Sequence, residues 1–175
     1  MNTDCKFISE VSSNHNNNKQ RIEKFIKISK LSGFYAVKFQ LFKIDKLFTN
    51  EVLNNSKQHR ERSKWELKEQ YIPFIRQTCD KYKIKFGCTP FYLEAVDILK
   101  PYVDFYKISS YELLWLDLIK KCAETKKKII ISTGMSNMKE VKEAVNVCRK
   151  VGNKNIILLH CTSSYPSKPK ESNLS

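Results

Sequence analysis

Long apolar runs, glycine and paired cysteines are all scarce in this chain of 175 residues. No apolar run approaches the ~20 residues that a membrane-spanning helix needs. The N-terminal residues lack the basic stretch and the cleavable apolar segment of a secretory signal. The six cysteines are scattered and no two have CxxC spacing, which argues against a disulfide framework or a zinc site. These absences predict a soluble cytoplasmic protein with reduced thiols and no membrane partner.

The scarcity of glycine also limits the possible folds. With only four glycines, the chain has no glycine-rich phosphate loop after its first predicted strand. This argues against an open, doubly wound nucleotide-binding sheet. The sequence also lacks HxH, HxxxH and paired-carboxylate motifs, so it shows no complete metal site.

Positive charge, in contrast, is present in excess. The chain has 32 lysines and arginines against 18 acidic residues, a formal net charge of +14. Such an excess can neutralise nucleic-acid phosphates, attract a small anionic substrate, or lie on solvated helix faces. The run from Lys126 to Lys128 follows a predicted helix and contains no aromatic residues. Charge alone therefore does not choose between an enzyme and a non-catalytic basic protein that binds nucleic acid.

Short β-branched runs alternate with helix-patterned stretches along the chain. Strands are predicted at residues 7–11, 36–41, 85–88, 105–108, 129–132 and 156–160. Helices are predicted at residues 22–31, 65–81, 93–99, 113–123 and 138–151, with some helix in the polar connection 42–64. Alternation of this kind is typical of βαβ units and a parallel sheet. Because polar residues follow every strand, we predict an α/β fold, a (β/α)8 TIM barrel truncated to about six βα units.

The candidate site consists of polar residues at the predicted strand ends, where barrels carry their active sites. Alternation places Lys38 and Gln40 on one face of their strand. Burial of a lysine there is costly without an anion, and Lys107 has an equivalent position on a later strand. Two such lysines among serines and threonines indicate a site for a phosphate or carboxylate dianion. The alternatives are an ion pair with a neighbouring carboxylate for either lysine, and a structural role for the Glu10 carboxylate.

The histidines give a weaker signal. His15 and His160 could act as ligands or as acid–base groups, although an isolated histidine is more often structural. Cys161 directly follows His160, but neighbouring residues of a strand point to opposite faces. This argues against a Cys–His nucleophile.

At these positions the sequence resembles the N-acetylneuraminate (sialic acid) synthase family, whose members condense phosphoenolpyruvate with an N-acyl hexosamine. The similar segments are SEVSSNHNNN (9–18), AVKFQLFK (36–43), CTPFYLEAVD (88–97), YKISSYE (106–112), IISTGMS (130–136) and LLHCTSSYP (158–166). They occur in the family's order over the whole chain. The resemblance implies that residues 1–175 form the N-terminal two-thirds of a synthase barrel. The remaining barrel strands and any antifreeze-like (SAF) domain would lie outside this sequence.

The resemblance also assigns roles to the strand-end residues. The catalytic residues that it implies are Glu10, Lys38 and Lys107. The substrate-binding residues that it implies are Gln40, Thr89, Ser110, Ser132, Ser163 and Tyr165. Within this set, the two lysines, Thr89 and the serines correspond to contacts with phosphoenolpyruvate. Glu10, Gln40 and Tyr165 correspond to contacts with the sugar.

Cofactors and partners follow from the same resemblance. A divalent metal, Mn²⁺ or Mg²⁺, is expected, with its histidine ligands beyond residue 175. The implied substrates are phosphoenolpyruvate and N-acetylmannosamine or a related diamino sugar. The full-length protein is expected to be a homodimer without a nucleic-acid partner. A related barrel lyase or aldolase acting on another phosphorylated substrate is the alternative enzyme.

Ser163 lies where the family often has Asn and is expected to make a weaker version of the same contact with phosphoenolpyruvate. Two further positions depart from the family pattern. Asn17 replaces a usual glycine and is expected to adopt a left-handed backbone conformation. Ser109 replaces a usual glycine or alanine. A six-stranded piece also leaves open sheet edges, so we expect the chain to be poorly stable and to have little activity by itself.

Overall fold

The computed structural model describes residues 5–173, and the chain divides after Asp104 into two compact units. The strands of the N-terminal unit are β1 (Ile8–Glu10), β2 (Ala36–Leu41) and β3 (Lys85–Pro90). Those of the C-terminal unit are β4 (Phe105–Ile108), β5 (Lys128–Ser132) and β6 (Ile156–Leu159). Within each unit, the middle strand pairs in parallel with both neighbours. The predicted parallel pairing is therefore confirmed in each unit.

Helices follow the strands as predicted. They are α1 (Lys19–Leu31), α2 (Ile44–Leu47), α3 (Asn50–Asn55), α4 (Lys57–Arg60), α5 (Ile72–Lys81), α6 (Leu93–Leu99), α7 (Leu116–Glu124) and α8 (Met138–Lys150). Asn18 caps α1 by accepting a hydrogen bond from the Arg21 N–H, and Asn137 forms a capping box with Glu140 on α8. No helix within residues 5–173 is long and apolar enough to cross a membrane.

One predicted helix is wrong over its first part. In place of a continuous helix at residues 65–81, the chain forms two 3-10 turns, Glu61–Trp65 and Glu69–Tyr71, before α5 begins at Ile72. Pro73 lies in the first turn of α5, where its missing N–H costs nothing. Inside a longer helix, Pro73 would remove a hydrogen bond and clash with the preceding turn. The proline therefore determines where this helix can start.

The core of the N-terminal unit is built around β2. Val37 and Phe39, which share one face of the strand, are fully buried. Phe39 packs edge-to-face against Phe86 of β3, with ring centroids 5.9 Å apart. The opposite face carries Lys38 and Gln40. Apolar packing on one face of β2 thus holds two polar candidate residues on the other.

The core of the C-terminal unit lies around β5, whereas the apolar side chains of β6 are partly exposed. Ile129 and Ile131 are fully buried in β5, as expected for a parallel strand covered on both faces. The apolar residues of β6 behave differently. Their exposed fractions are 42% for Ile157, 46% for Leu158 and 37% for Leu159. Among the described strands, β6 pairs only with β5, so it lies at the edge of the sheet in this unit.

Candidate active site

An ion pair with a buried lysine lies at the C-terminal ends of the N-terminal strands. Lys38, only 8% exposed, pairs with the Glu10 carboxylate. Its Nζ also donates a hydrogen bond to Thr89 Oγ1, at 3.2 Å. The strand register explains this contact, because Glu10 lies opposite Lys38 on the neighbouring strand. For Lys38, the alternative of an ion pair with a nearby carboxylate is therefore what the structure shows. The same contacts group three of the predicted site residues.

Ser12 connects Glu10 to Gln40 in this group. The Ser12 N–H donates to Glu10 Oε1 at 2.9 Å, and Ser12 Oγ donates to Gln40 Oε1 at 3.3 Å. Ser12 has a φ of +50°, so the chain turns sharply after β1. The Glu10 side chain remains 43% exposed and can still reach a ligand. We call Glu10, Lys38, Gln40 and Thr89 the N-terminal cluster. The sequence analysis did not assign Ser12, although a polar residue so close to Glu10 was an available signal.

His15 is a buried residue that stabilises the loop after β1. It is fully buried, and its Nδ1 accepts a hydrogen bond from the Asn17 N–H at 3.0 Å. Burial lowers the pKa of His15, which favours the neutral ring. Asn17 has a φ of +49°, which confirms the predicted left-handed conformation. Its side chain donates to the Glu66 carbonyl at 2.8 Å and so anchors the loop after β1.

A second group surrounds Lys107 in the C-terminal unit. Lys107 Nζ donates to Ser132 Oγ at 2.5 Å and to the Ile108 carbonyl at 2.6 Å. The contact follows from the register, since Lys107 pairs with Ile130 and Ser132 lies two residues farther along the same face of β5. Cys161 Sγ also donates to Ser132 Oγ, at 3.2 Å. A lysine, a hydroxyl and a thiol therefore meet at the end of β5.

Gly134 brings two further serines together. Its N–H donates to Ser110 Oγ at 3.2 Å. A Cβ at this position would collide with Ser163 Oγ and would lie 2.9 Å from Ser110 Oγ, so any other residue must displace these two hydroxyls. We call Lys107, Ser110, Ser132 and Ser163, with Gly134, the serine cluster. The sequence analysis left Gly134 out of the site, although a glycine directly after a polar strand end was informative in a glycine-poor chain.

Glu112 is a half-buried carboxylate that the sequence analysis did not assign. Burial raises its pKa, while the hydrogen bond from Ser109 Oγ and the charge of Lys107 act in the opposite direction. Ser109, one of the departures from the family pattern, thus anchors this carboxylate. Glu112 is therefore a carboxylate with a raised pKa that interacts with the charge of Lys107.

Tyr165 and His160 lie outside these contacts. The Tyr165 side chain is 94% exposed, so the structure does not bring it against the serine cluster. His160 Nε2 lies 2.8 Å from the Ser172 carbonyl, whereas the adjacent Cys161 contacts Ser132. The two neighbours therefore have different partners, in line with the argument against a Cys–His nucleophile.

Comparison with known proteins identifies the family. The NeuB family model matches residues 25–175. The chain belongs to the NeuB family. It is 38% identical to N,N'-diacetyllegionaminic acid synthase of Campylobacter jejuni, over 95% of this chain and 54% of that protein. It is 30% identical to pseudaminic acid synthase of Helicobacter pylori, over 97% of this chain and 53% of that protein. This NeuB-family chain thus spans about half the length of these two curated relatives.

Solved structures confirm the predicted fold class. The crystal structure of N-acetylneuraminic acid (sialic acid) synthetase from Leptospira borgpetersenii superposes with a TM-score of 0.86 and 26% identity, over 95% of this chain and 57% of that one. A truncated 3-deoxy-D-arabino-heptulosonate 7-phosphate synthase from Thermotoga maritima, at 15% identity and a TM-score of 0.67, shares the fold alone. The NeuB-family chain therefore has the fold of about six βα units of a TIM barrel.

Proposed function

We propose that this chain supplies the phosphoenolpyruvate-binding and sugar-binding part of a nonulosonic acid synthase. Such an enzyme condenses phosphoenolpyruvate with an N-acyl hexosamine to give a nonulosonic acid and phosphate. The observation that carries the proposal is the serine cluster, in which an ammonium group, hydroxyls and a backbone N–H converge. Donors of these kinds suit the oxygens of a phosphate or carboxylate group. The relatives named as legionaminic and pseudaminic acid synthases support the same reaction class.

The two clusters have different tasks in the proposed reaction. Lys107 and the serines bind anionic oxygens of phosphoenolpyruvate and stabilise charge as it moves during the reaction. In the N-terminal cluster, Lys38 offers an ammonium group with the Thr89 hydroxyl beside it, and the family resemblance implies that both contact phosphoenolpyruvate. Glu10, partly exposed and oriented by Ser12 and Lys38, accepts a hydrogen bond from the sugar or removes a proton from it. Gln40 adds a neutral contact to the sugar, whereas a sugar contact of Tyr165 is implied by the family resemblance alone.

The bonding changes balance without any other reactant. The C2–C3 electron pair of phosphoenolpyruvate forms a carbon–carbon bond to the open-chain sugar aldehyde, whose oxygen takes up a proton. Water then adds at C2 and loses a proton. The bond between C2 and the phosphate oxygen then breaks while the C2 hydroxyl gives up its proton to the departing phosphate, which leaves the ketone of the product. The protein must hold the two reacting carbons close together, which supplies part of the rate acceleration.

The expected divalent metal has no evident site among the residues that the structure describes. Within residues 5–173, no group of three or more His, Cys, Asp or Glu side chains is arranged to hold a metal ion. The residues present do not fit such a site, so the steps above involve only side chains, substrates and water. The metal, the homodimer and the cytoplasmic location stay predictions.

A binding experiment tests the proposal directly on this chain. We expect phosphoenolpyruvate binding by isothermal titration calorimetry and a loss of about tenfold or more in affinity for Lys107→Met, because a charge-assisted contact is removed. Lys142→Met, on the exposed face of α8, is the matched control and should bind as the unchanged chain does. Equal affinity in all three proteins would contradict the assignment of Lys107.

Turnover tests the reaction class. We expect the protein, also tested with any sequence that continues it in the gene, to release phosphate from phosphoenolpyruvate with Mn²⁺ only when one of a panel of N-acyl hexosamines is added. Borohydride trapping of a carbonyl substrate on a lysine would instead support the aldolase alternative. Binding to arbitrary DNA with a steep dependence on salt would support the nucleic-acid alternative.

A further inference from the structure

A lysine-rich cavity lies at the N-terminal ends of the strands in the N-terminal unit. Its volume is about 650 Å³, within the range of small-molecule sites. It is lined by the segments before β1 and β2, the end of α1, and the turn between α5 and β3. The N-terminal cluster lies at the opposite, C-terminal ends of the same strands. The cavity is therefore separate from that cluster and does not depend on the proposed function.

The charge of the cavity lining is strongly positive. Five of its 13 lining residues are Lys or Arg, compared with 32 of 175 in the chain. The lining also contains one acidic residue, Asp80, which pairs with Arg76 at 2.5 Å. Asp104 pairs with both Arg76 and Lys85, at 2.7 Å and 2.8 Å, so the two carboxylates offset these two cations. The other three lysines, Lys6, Lys30 and Lys83, take part in none of the ion pairs within residues 5–173. Three unpaired ammonium groups from three different segments thus border one cavity.

Aromatic rings border the same space. Phe7 and Phe34 pack edge-to-face with centroids 6.5 Å apart, yet Phe7 remains 63% exposed. Tyr35 also lines the cavity, and Lys6 Nζ lies 5.0 Å above the centroid of its ring. Exposed aromatic surface in a cavity favours a ligand with a flat apolar part. The lysines favour an anionic part in the same ligand.

We infer that this cavity binds a phosphorylated ligand with a planar aromatic ring, the chemistry of a nucleoside monophosphate. The phosphate dianion contacts the ammonium groups of Lys6, Lys30 and Lys83. The ring packs against Phe7 or Phe34. Arg76 and Lys85, paired with Asp80 and Asp104, form another side of the cavity and contribute little net charge. Because the cavity and the N-terminal cluster lie at opposite ends of the same strands, such a ligand is a candidate regulator and not a substrate.

The test uses adenosine monophosphate, adenosine and ribose 5-phosphate as probes on the full chain. We expect adenosine monophosphate to bind at least about tenfold more tightly than either of the other two probes, because only it has both the ring and the phosphate. Excess phosphoenolpyruvate should not displace it. Binding of ribose 5-phosphate with equal affinity would overturn the ring contact, and no binding at about 1 mM would overturn the site.

Paired variants separate a defined site from the general positive charge. Lys6→Gln with Lys83→Asn removes two of the three ammonium groups, and asparagine tolerates the φ of +52° at position 83. This double variant should lose about tenfold or more in affinity for adenosine monophosphate. Lys142→Gln removes an exposed lysine of α8 and should change nothing. Equal losses in the double variant and the control would overturn the proposal.

Discussion

At the scale of single residues, the buried ammonium of Lys38 is the group most sensitive to substitution in the N-terminal cluster. Glu10→Gln removes the carboxylate that pairs with this ammonium and leaves the hydrogen bond to the Thr89 hydroxyl. We expect the free energy of unfolding to fall by about 2 kcal/mol, because a poorly solvated charge loses its counterion. Urea unfolding followed by circular dichroism measures the change.

Two further variants test whether the unpaired buried charge is the cause of this loss of stability. Glu10→Gln combined with Lys38→Met should be less destabilised than Glu10→Gln alone, since no unpaired charge remains. Glu23→Gln removes an ion pair with Lys81 in which Lys81 is 64% exposed, and should change the free energy of unfolding much less than Glu10→Gln does. A double variant as unstable as the single one would show that burial of the lysine is not the cause.

Gly134 is the second residue whose replacement has a defined steric result. Gly134→Ala forces a Cβ against Ser163 Oγ and Ser110 Oγ, so the serine cluster must open. We expect phosphoenolpyruvate affinity to fall by about tenfold or more, measured by calorimetry. Gly33→Ala is the matched control, because its Cβ would meet nothing within 4 Å although its φ is +80°. It should lose stability and keep its affinity, and equal affinity losses would contradict the steric explanation.

At the scale of secondary-structure elements, Asp104 joins α5 to β3. It accepts hydrogen bonds from Arg76 at 2.7 Å, from Lys85 at 2.8 Å and from the Phe86 N–H at 2.8 Å. Burial opposes ionisation of Asp104, but these donors outweigh burial and lower its pKa. A carboxyl with a lowered pKa stabilises the fold above its unfolded-state pKa of about 3.9. That contribution is lost as the pH falls through the lower, folded-state pKa.

Asp104→Asn should therefore destabilise the chain in a pH-dependent way. We expect a loss of about 2 kcal/mol in the free energy of unfolding at pH 7, which shrinks below a pH of about 4. Urea unfolding at both pH values measures it. Asp80→Asn removes a 65% exposed partner of Arg76 and should cost less than about 1 kcal/mol. A penalty for Asp104→Asn that does not change with pH would contradict the electrostatic explanation.

At the scale of the whole molecule, the exposed edge at β6 should control self-association of the chain. An unpaired strand edge with exposed apolar side chains promotes pairing with another chain. Leu158→Lys places a charge on this edge, and we expect the sedimentation coefficient to become less dependent on concentration. Leu31→Lys, at a residue 76% exposed on α1, is the control and should leave association unchanged. Equal behaviour of both variants would show that association uses another surface.

Local patterns were enough to predict most of the fold. The strands at Ala36–Leu41 and Phe105–Ile108 agree with the prediction at both ends, and Gly33 follows α1 with a φ of +80°, as a helix stop requires. These features depend on neighbours a few residues away, which the sequence displays directly. The start of α5 also depends on a local feature, because Pro73 restricts the helix to residues from its own first turn onward.

Contacts between distant residues needed the folded chain. Strand pairing places Glu10 opposite Lys38. It also brings Lys38 within hydrogen-bonding distance of Thr89, which is 51 residues away in the sequence. The sequence indicated that a lysine at position 38 needs a partner, but not which partner, because register and loop geometry select it. Gly134 shows the same limit of prediction from sequence. The space for a Cβ at this position is taken up by two serines that lie 24 and 29 residues away in the sequence. Periodicity can be recognised in the sequence alone, whereas the partner of a buried polar group is determined only when the strands pair in register.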